Sequence, residues 1–291
     1  MELRWLASAS ASCLHAVRAS IERRRFVDAD LAAALADPTT AFVTEFEPVL
    51  SDTPLLRHLA ALAGGINNNR ELAKVALAKA VGSENAEPLA PSLARHLTSL
   101  QAAFRRVRPH AVVELEHRSR PIREQWEARG PGLLSQIARS TNADLLVERA
   151  DVMLVDPASG GDARAYPTYN VVVLEAVLAN PHPELPEVVR LGWALSQLNL
   201  DLPRFTENLP SDRRDVIAGL AMVPVTLAAA EFVELGKCDE ATVHRALDAW
   251  NFAFASAADM TTGLMTWWRT YVESRPSWSV ALAALNRMLG L

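Results

Sequence analysis

Apolar residues recur at helical spacing through most of the chain, and at strand spacing only near its middle. From Trp5 to about Arg25, Leu6, Leu14, Val17 and Ile21 predict one helix, closed by Arg23-Arg24-Arg25. Cations at a helix carboxyl end meet the negative end of its macrodipole, which explains the triplet without a nucleic-acid patch. Asp28 or Asp30 would cap a short helix ending before Pro38. Further helices are expected over 41–50, 54–63, 70–81 and 91–107, punctuated by proline, Gly64-Gly65, Asn67-Asn68-Asn69 and Gly82. Two of them share a phrase, LLRHLAAL at 55–62 and LARHLTSL at 93–100. Two copies fall short of a solenoid, so the paired Arg-His reads as the wet edge of two amphipathic helices.

After Pro109 the pattern shifts. Ala111–His117 alternates apolar and charged residues and predicts a half-buried strand. Ser119 or Arg120 would cap a helix opened by Pro121 and running through Trp126, before a break at Gly130-Pro131-Gly132. Leu145, Val147, Val152, Leu154 and Val155 are strand text, 158–162 is a turn, and 163–169 suits an edge strand that tolerates Pro167. Asn170 then reads as the cap of a helix ending at Asn180-Pro181, with Val171, Leu174, Val177 and Leu178 on one face. The run of three valines leaves a strand as the second reading there. Helices resume at Pro186 and again from Ser211, with breaks near Gly236, Gly263 and Pro276.

These elements predict an α+β protein, predominantly α-helical, with a small mixed or antiparallel β-sheet in the middle flanked by N- and C-terminal helical parts. The expected parts are 1–108, 109–209 and 210–291, packed as one unit because no long polar linker divides them.

Charge changes the picture modestly. The net charge is −5, and residues 131–210 carry 5 Lys+Arg against 10 Asp+Glu, which argues against a broad nucleic-acid surface there. Cys13 and Cys238 make neither a disulfide framework nor a Cys-rich metal site, and suit a reducing interior. The Ser-broken run before Cys13 is a poor export signal, so a cytoplasmic location is expected. The longest apolar run, Val216 to Ala230, is 15 residues, short of the ~20 needed to span a bilayer. A buried helix is expected, and no membrane partner.

Glu175 is the leading candidate for chemistry. It is the only acidic or basic side chain between Arg164 and His182, tyrosines aside, and a carboxylate in apolar surroundings must find a partner or shift its pKa. A buried ion pair with Arg118, Arg120, Arg123 or Arg190 is the favoured role, and a general acid/base the second. The stretch Glu114–Gly132 holds four carboxylates and four arginines beside His117 and Trp126. Arg118, Arg120 and Arg123 could hold a phosphate or carboxylate, with His117, Trp126 and Arg190 as further binding candidates. Against that, Arg120–Glu124 and Arg123–Glu127 are i,i+4 pairs that neutralise each other on a helix surface. Trp267, Trp268, Tyr271 and Trp278 suit an aromatic partner surface, with core anchors as the default.

The order strand, helix, strands, edge strand and then a helix over 170–180 is similar to the core of zinc metallopeptidases, whose metal helix reads H-E-x-x-H. The corresponding letters are Leu174-Glu175-Ala176-Val177-Leu178, with Glu187 on the next helix. Leucine offers zinc no donor atom, so the resemblance implies a shared shape without a metal. The phosphate-loop, dinucleotide-loop and G-x-S-x-G motifs are absent from the sequence. The expected function is a binding or scaffold protein without cofactor, with a protein partner or small anionic ligand and possible self-association. The alternative is a hydrolase-like enzyme using Glu175 on an anionic substrate held by arginines of 118–129.

Overall fold

A computed structural model describes residues 1–250, 252 and 257–290. The chain is mainly helical α+β, built around one small mixed sheet. Strand β1 (Glu2–Ala7) leads directly into helix α1 (Ala9–Ile21). Helices α2 (Ala29–Asp52), α3 (Leu55–Leu62), α4 (Asn69–Val81), α5 (Ser83–Val107) and α6 (Ala111–Ser140) follow. Then come β2 (Arg149–Val155), β3 (Ala163–Tyr166), β4 (Val171–Glu175) and α7 (Glu187–Leu195). The rest is α8 (Pro203–Thr206), α9 (Arg214–Phe232), α10 (Glu240–Ala249), α11 (Ala257–Ser274) and α12 (Trp278–Leu289). Helix starts follow their caps: Ser8, Asp28, Asn68 and Asp239 each accept backbone N–H bonds from the first turn they open.

The sheet runs in the order β1-β2-β4-β3. β1, β2 and β4 are parallel, and β3 pairs antiparallel with β4 on the outside. A parallel sheet needs cover on both faces, and the alternation in β2 and β4 supplies two apolar faces. Met153, Val155, Val171 and Val173 join the core formed by α1 to α5. Val152, Leu154, Val172 and Leu174 join the core formed by α6, α7 and the C-terminal helices. The sheet is therefore a partition between two helical layers.

Several expectations need correction. The helix expected to end before Pro38 runs through it to Asp52 and takes in the 41–50 segment, and α11 runs through Gly263 without a break. Ala111–His117 is the start of α6, a 30-residue helix that runs through Pro121 and Gly130-Pro131-Gly132. Ala111 and Leu115 are buried while Val112, Val113, Glu114 and Glu116 are exposed, so the working period is four and not two. Each proline removes one internal hydrogen bond, but the stripe Leu115, Ile122, Trp126, Leu133, Leu134 and Ile137 holds the helix on the core. The 171–175 segment is a strand, the second reading of the valine run, and every residue in it is buried. Asn170 is not a helix N-cap; at φ 51° it closes the 3-10 turn Pro167–Tyr169 and leads the chain into β4. Finally, the first six residues after Met1 are not helical. β1 pairs with β2 from Glu2↔Arg149 to Ala7↔Leu154, a long-range partner invisible to local periodicity.

Helix α9 is long and apolar enough to cross a membrane, yet 72% of its most apolar window is buried inside the protein. Trp267, Trp268, Tyr271 and Trp278 are buried core anchors, stacked or edge-on to one another.

Candidate functional site

The connection from β2 to β3 has to pass over the carboxyl end of β4, because β3 lies on β4's far side. Such a crossing exposes a row of main-chain N–H groups that a buried loop must satisfy. Glu175, the last residue of β4, satisfies them. Its Oε1 accepts from the Ala158 and Ser159 N–H groups, both at 2.8 Å, and from the Ser159 hydroxyl at 3.0 Å. Its Oε2 accepts from the N–H groups of Gly161 at 2.6 Å and Asp162 at 3.0 Å. His15, buried on α1, places Nε2 2.7 Å from Oε1. An ionised carboxylate only accepts, so that nitrogen carries the proton. Burial by itself would raise the Glu175 pKa, but the His15 hydrogen bond and charge, with the Ser159 and Asp162 N–H groups, hold it well below the carboxylate range.

Gly160 and Gly161 make the crossing possible, at φ 84° and φ 150°, conformations side chains resist. Asp162 is buried beside this network; its Oδ2 lies 3.1 Å from Arg24 Nη1 and accepts from Arg164 Nε at 3.4 Å. Burial pushes its carboxyl upward, against the charges of His15 and Arg24. At the end of β2, Asp156 accepts from Arg108 Nε at 2.9 Å, and its N–H bonds the Ser12 hydroxyl at 3.0 Å.

Among the arginines proposed from sequence, two reach this end of the sheet. Arg190 Nη2 donates to the Glu175 main-chain carbonyl at 2.9 Å and to Glu187 Oε1 at 3.2 Å. Arg118 donates to the Ala176 carbonyl at 3.3 Å and touches Asp156 and Glu114. They grip successive carbonyls of the outgoing chain and leave the Glu175 carboxylate to the loop and His15. The others lie apart. Arg120 is exposed 3.9 Å from Glu124, His117 is exposed, Arg123 stacks on the Trp5 ring, and Trp126 is core. Sequence reasoning passed over His15, Asp156, Asp162 and the Ser159–Gly161 backbone. The available signals were a histidine inside the apolar face of α1 and a glycine pair preceding a lone buried acid.

Two clefts flank the crossing loop. One, of about 540 Å³, lies between the 159–161 backbone, Phe26 and Val27, the 177–190 segment and the end of α10 at Asp248–Trp250. Arg190 forms part of its wall. The other, of about 610 Å³, runs along β3 and is walled by Trp193, Trp250 and Phe252 opposite the Arg18–Glu22–Arg24 cluster. Among the described residues, no group of three His, Cys, Asp or Glu side chains converges as a metal site. Comparisons with protein-family models, curated proteins and solved structures returned no match.

Proposed function

We propose that this chain is a binding protein that takes a small anionic ligand in the cleft beside the 159–161 backbone, and that Glu175 shapes that cleft without reacting in it. The observation carrying this reading is the Glu175 carboxylate, saturated by four N–H groups, a hydroxyl and an imidazole. A general acid needs a pKa near the working pH and access to substrate. This carboxylate is 0% exposed and held far into its ionised form. A rigid loop at the carboxyl end of parallel strands is, by contrast, a usual seat for a ligand. Burial of the Trp267–Trp278 aromatic cluster also removes the flat aromatic face that favoured a protein partner.

The test is nuclear magnetic resonance titration of the labelled chain with phosphate, sulfate, succinate, acetate and 4-methylpentanoate, with butylamine as control. Saturable shifts from at least one anion, confined to residues 159–161, 177–190 and 248–250, are expected. If no anion perturbs those residues, the reading fails.

A further inference from the structure

Resting on that reading, we infer that the ligand of the cleft is a monocarboxylic acid with an apolar tail, its carboxylate received by Arg190. Arg190 is only 6% exposed, and its Nε is buried without a hydrogen-bond partner. Of its five N–H groups, the bonds to Glu175 and Glu187 engage those on Nη2. Nη1 lies beside Gly161, where an added Cβ would stand 2.6 Å away from it and 3.6 Å from the Ala249 carbonyl. The missing side chain at Gly161 is what leaves Nη1 reachable from the cleft. In the run Ala158–Asp162, the Gly160 N–H is also the one not turned inward to Glu175.

A buried guanidinium with unused N–H groups calls for an oxygen acceptor, and a charged acceptor binds it most strongly. The remaining walls select among anions. Glu187 and Asp248 line the same space as Arg25 and Arg190, so two carboxylates balance two guanidinium groups in the lining. One added negative charge is tolerated where a dianion meets two carboxylates. The rest of the lining is mixed: Ser159 and Asn180 are polar, while Phe26, Val27, Val177 and Leu185 give it an apolar share. Val27, part of that lining, is 62% exposed. An exposed apolar side chain beside a buried guanidinium fits a ligand with an acid head and a hydrocarbon tail.

The experiment compares 4-methylpentanoate, 4-methylpentanamide and inorganic phosphate by calorimetric titration of the full chain. The acid is expected to bind at least tenfold more tightly than its amide, with no measurable phosphate binding. Arg190→Lys should weaken the acid at least tenfold. Because Arg190 also holds the end of β4, that variant is paired with Val27→Glu, an exposed change that adds like charge and removes apolar contact. It too should lose at least tenfold. Equal affinity for acid and amide, preference for phosphate, or unchanged affinity in Val27→Glu overturns the inference. If phosphate or succinate shifts the cleft residues and the branched acid does not, the binding reading survives and the monocarboxylate assignment falls. If none of these probes does, both fall.

Discussion

The Glu114–Arg129 stretch and the Val171–Ala176 stretch invert each other. The first is crowded with charge and places most of it in water: Arg120, Glu124 and Glu127 are exposed, and only Arg118 reaches across to another element at the site. The second holds one charge among apolar residues and carries the densest polar network at the sheet end. Density of charge in a sequence marks a solvated helix face, where pairs contribute little. A solitary charge in apolar text marks a buried group that must be satisfied completely, because the cost of leaving it unpaired is several kcal/mol.

The contrast breaks most sharply by deletion. Glu175→Ala leaves His15, the Ser159 hydroxyl and four main-chain N–H groups without their acceptor. A loss of about 3–5 kcal/mol in urea unfolding is expected. The Arg120→Ala, Glu124→Ala double variant should melt with the parent. If the two variants are equally stable, the comparison fails.

Gly161→Ala comes next. It forces a side chain onto a φ of 150° and against Arg190 Nη1, and a loss of about 1–3 kcal/mol is expected by the same measurement. A neutral result would mean the loop relaxes freely, against its fixed role in the cleft.

Acidity sharpens the point through Glu175→Gln. The native carboxyl is held below its ordinary value of 4.5, so its stabilisation is present above that pH and is lost as pH falls toward the folded-state value. The stability gap between parent and Gln variant should therefore shrink from pH 7 to pH 3 in equilibrium unfolding. Asp156, Asp162 and Glu187 are shifted upward by burial, the opposite sign, and remain in both chains. A gap that widens on acidification would contradict the ionised assignment.

The smallest effect separates residues within α6. Arg118→Ala loses the bond to the Ala176 carbonyl and the contact with Asp156, and about 1 kcal/mol is expected. Amide hydrogen exchange of residues 176–180 should rise with it. His117→Ala, on the exposed side of the same helix, should leave that exchange unchanged.

Sequence alone determined the helical majority, several helix starts and the need of Glu175 for partners. Those are local matters: caps act within one turn, apolar stripes repeat every three to four residues, and a charge in apolar text is expensive wherever it lands. Tertiary structure decided the rest. β1 is a strand because β2 lies beside it, and 171–175 is a strand because it is buried from both sides, while α6 survives two prolines because its stripe packs on the core. The same holds for the partner of Glu175. An arginine was the natural expectation from charge, but the topology sends the β2–β3 loop over the end of β4 and aims its N–H groups at the carboxylate. Main-chain donors carry no letter in the sequence, so only the crossing itself could reveal them.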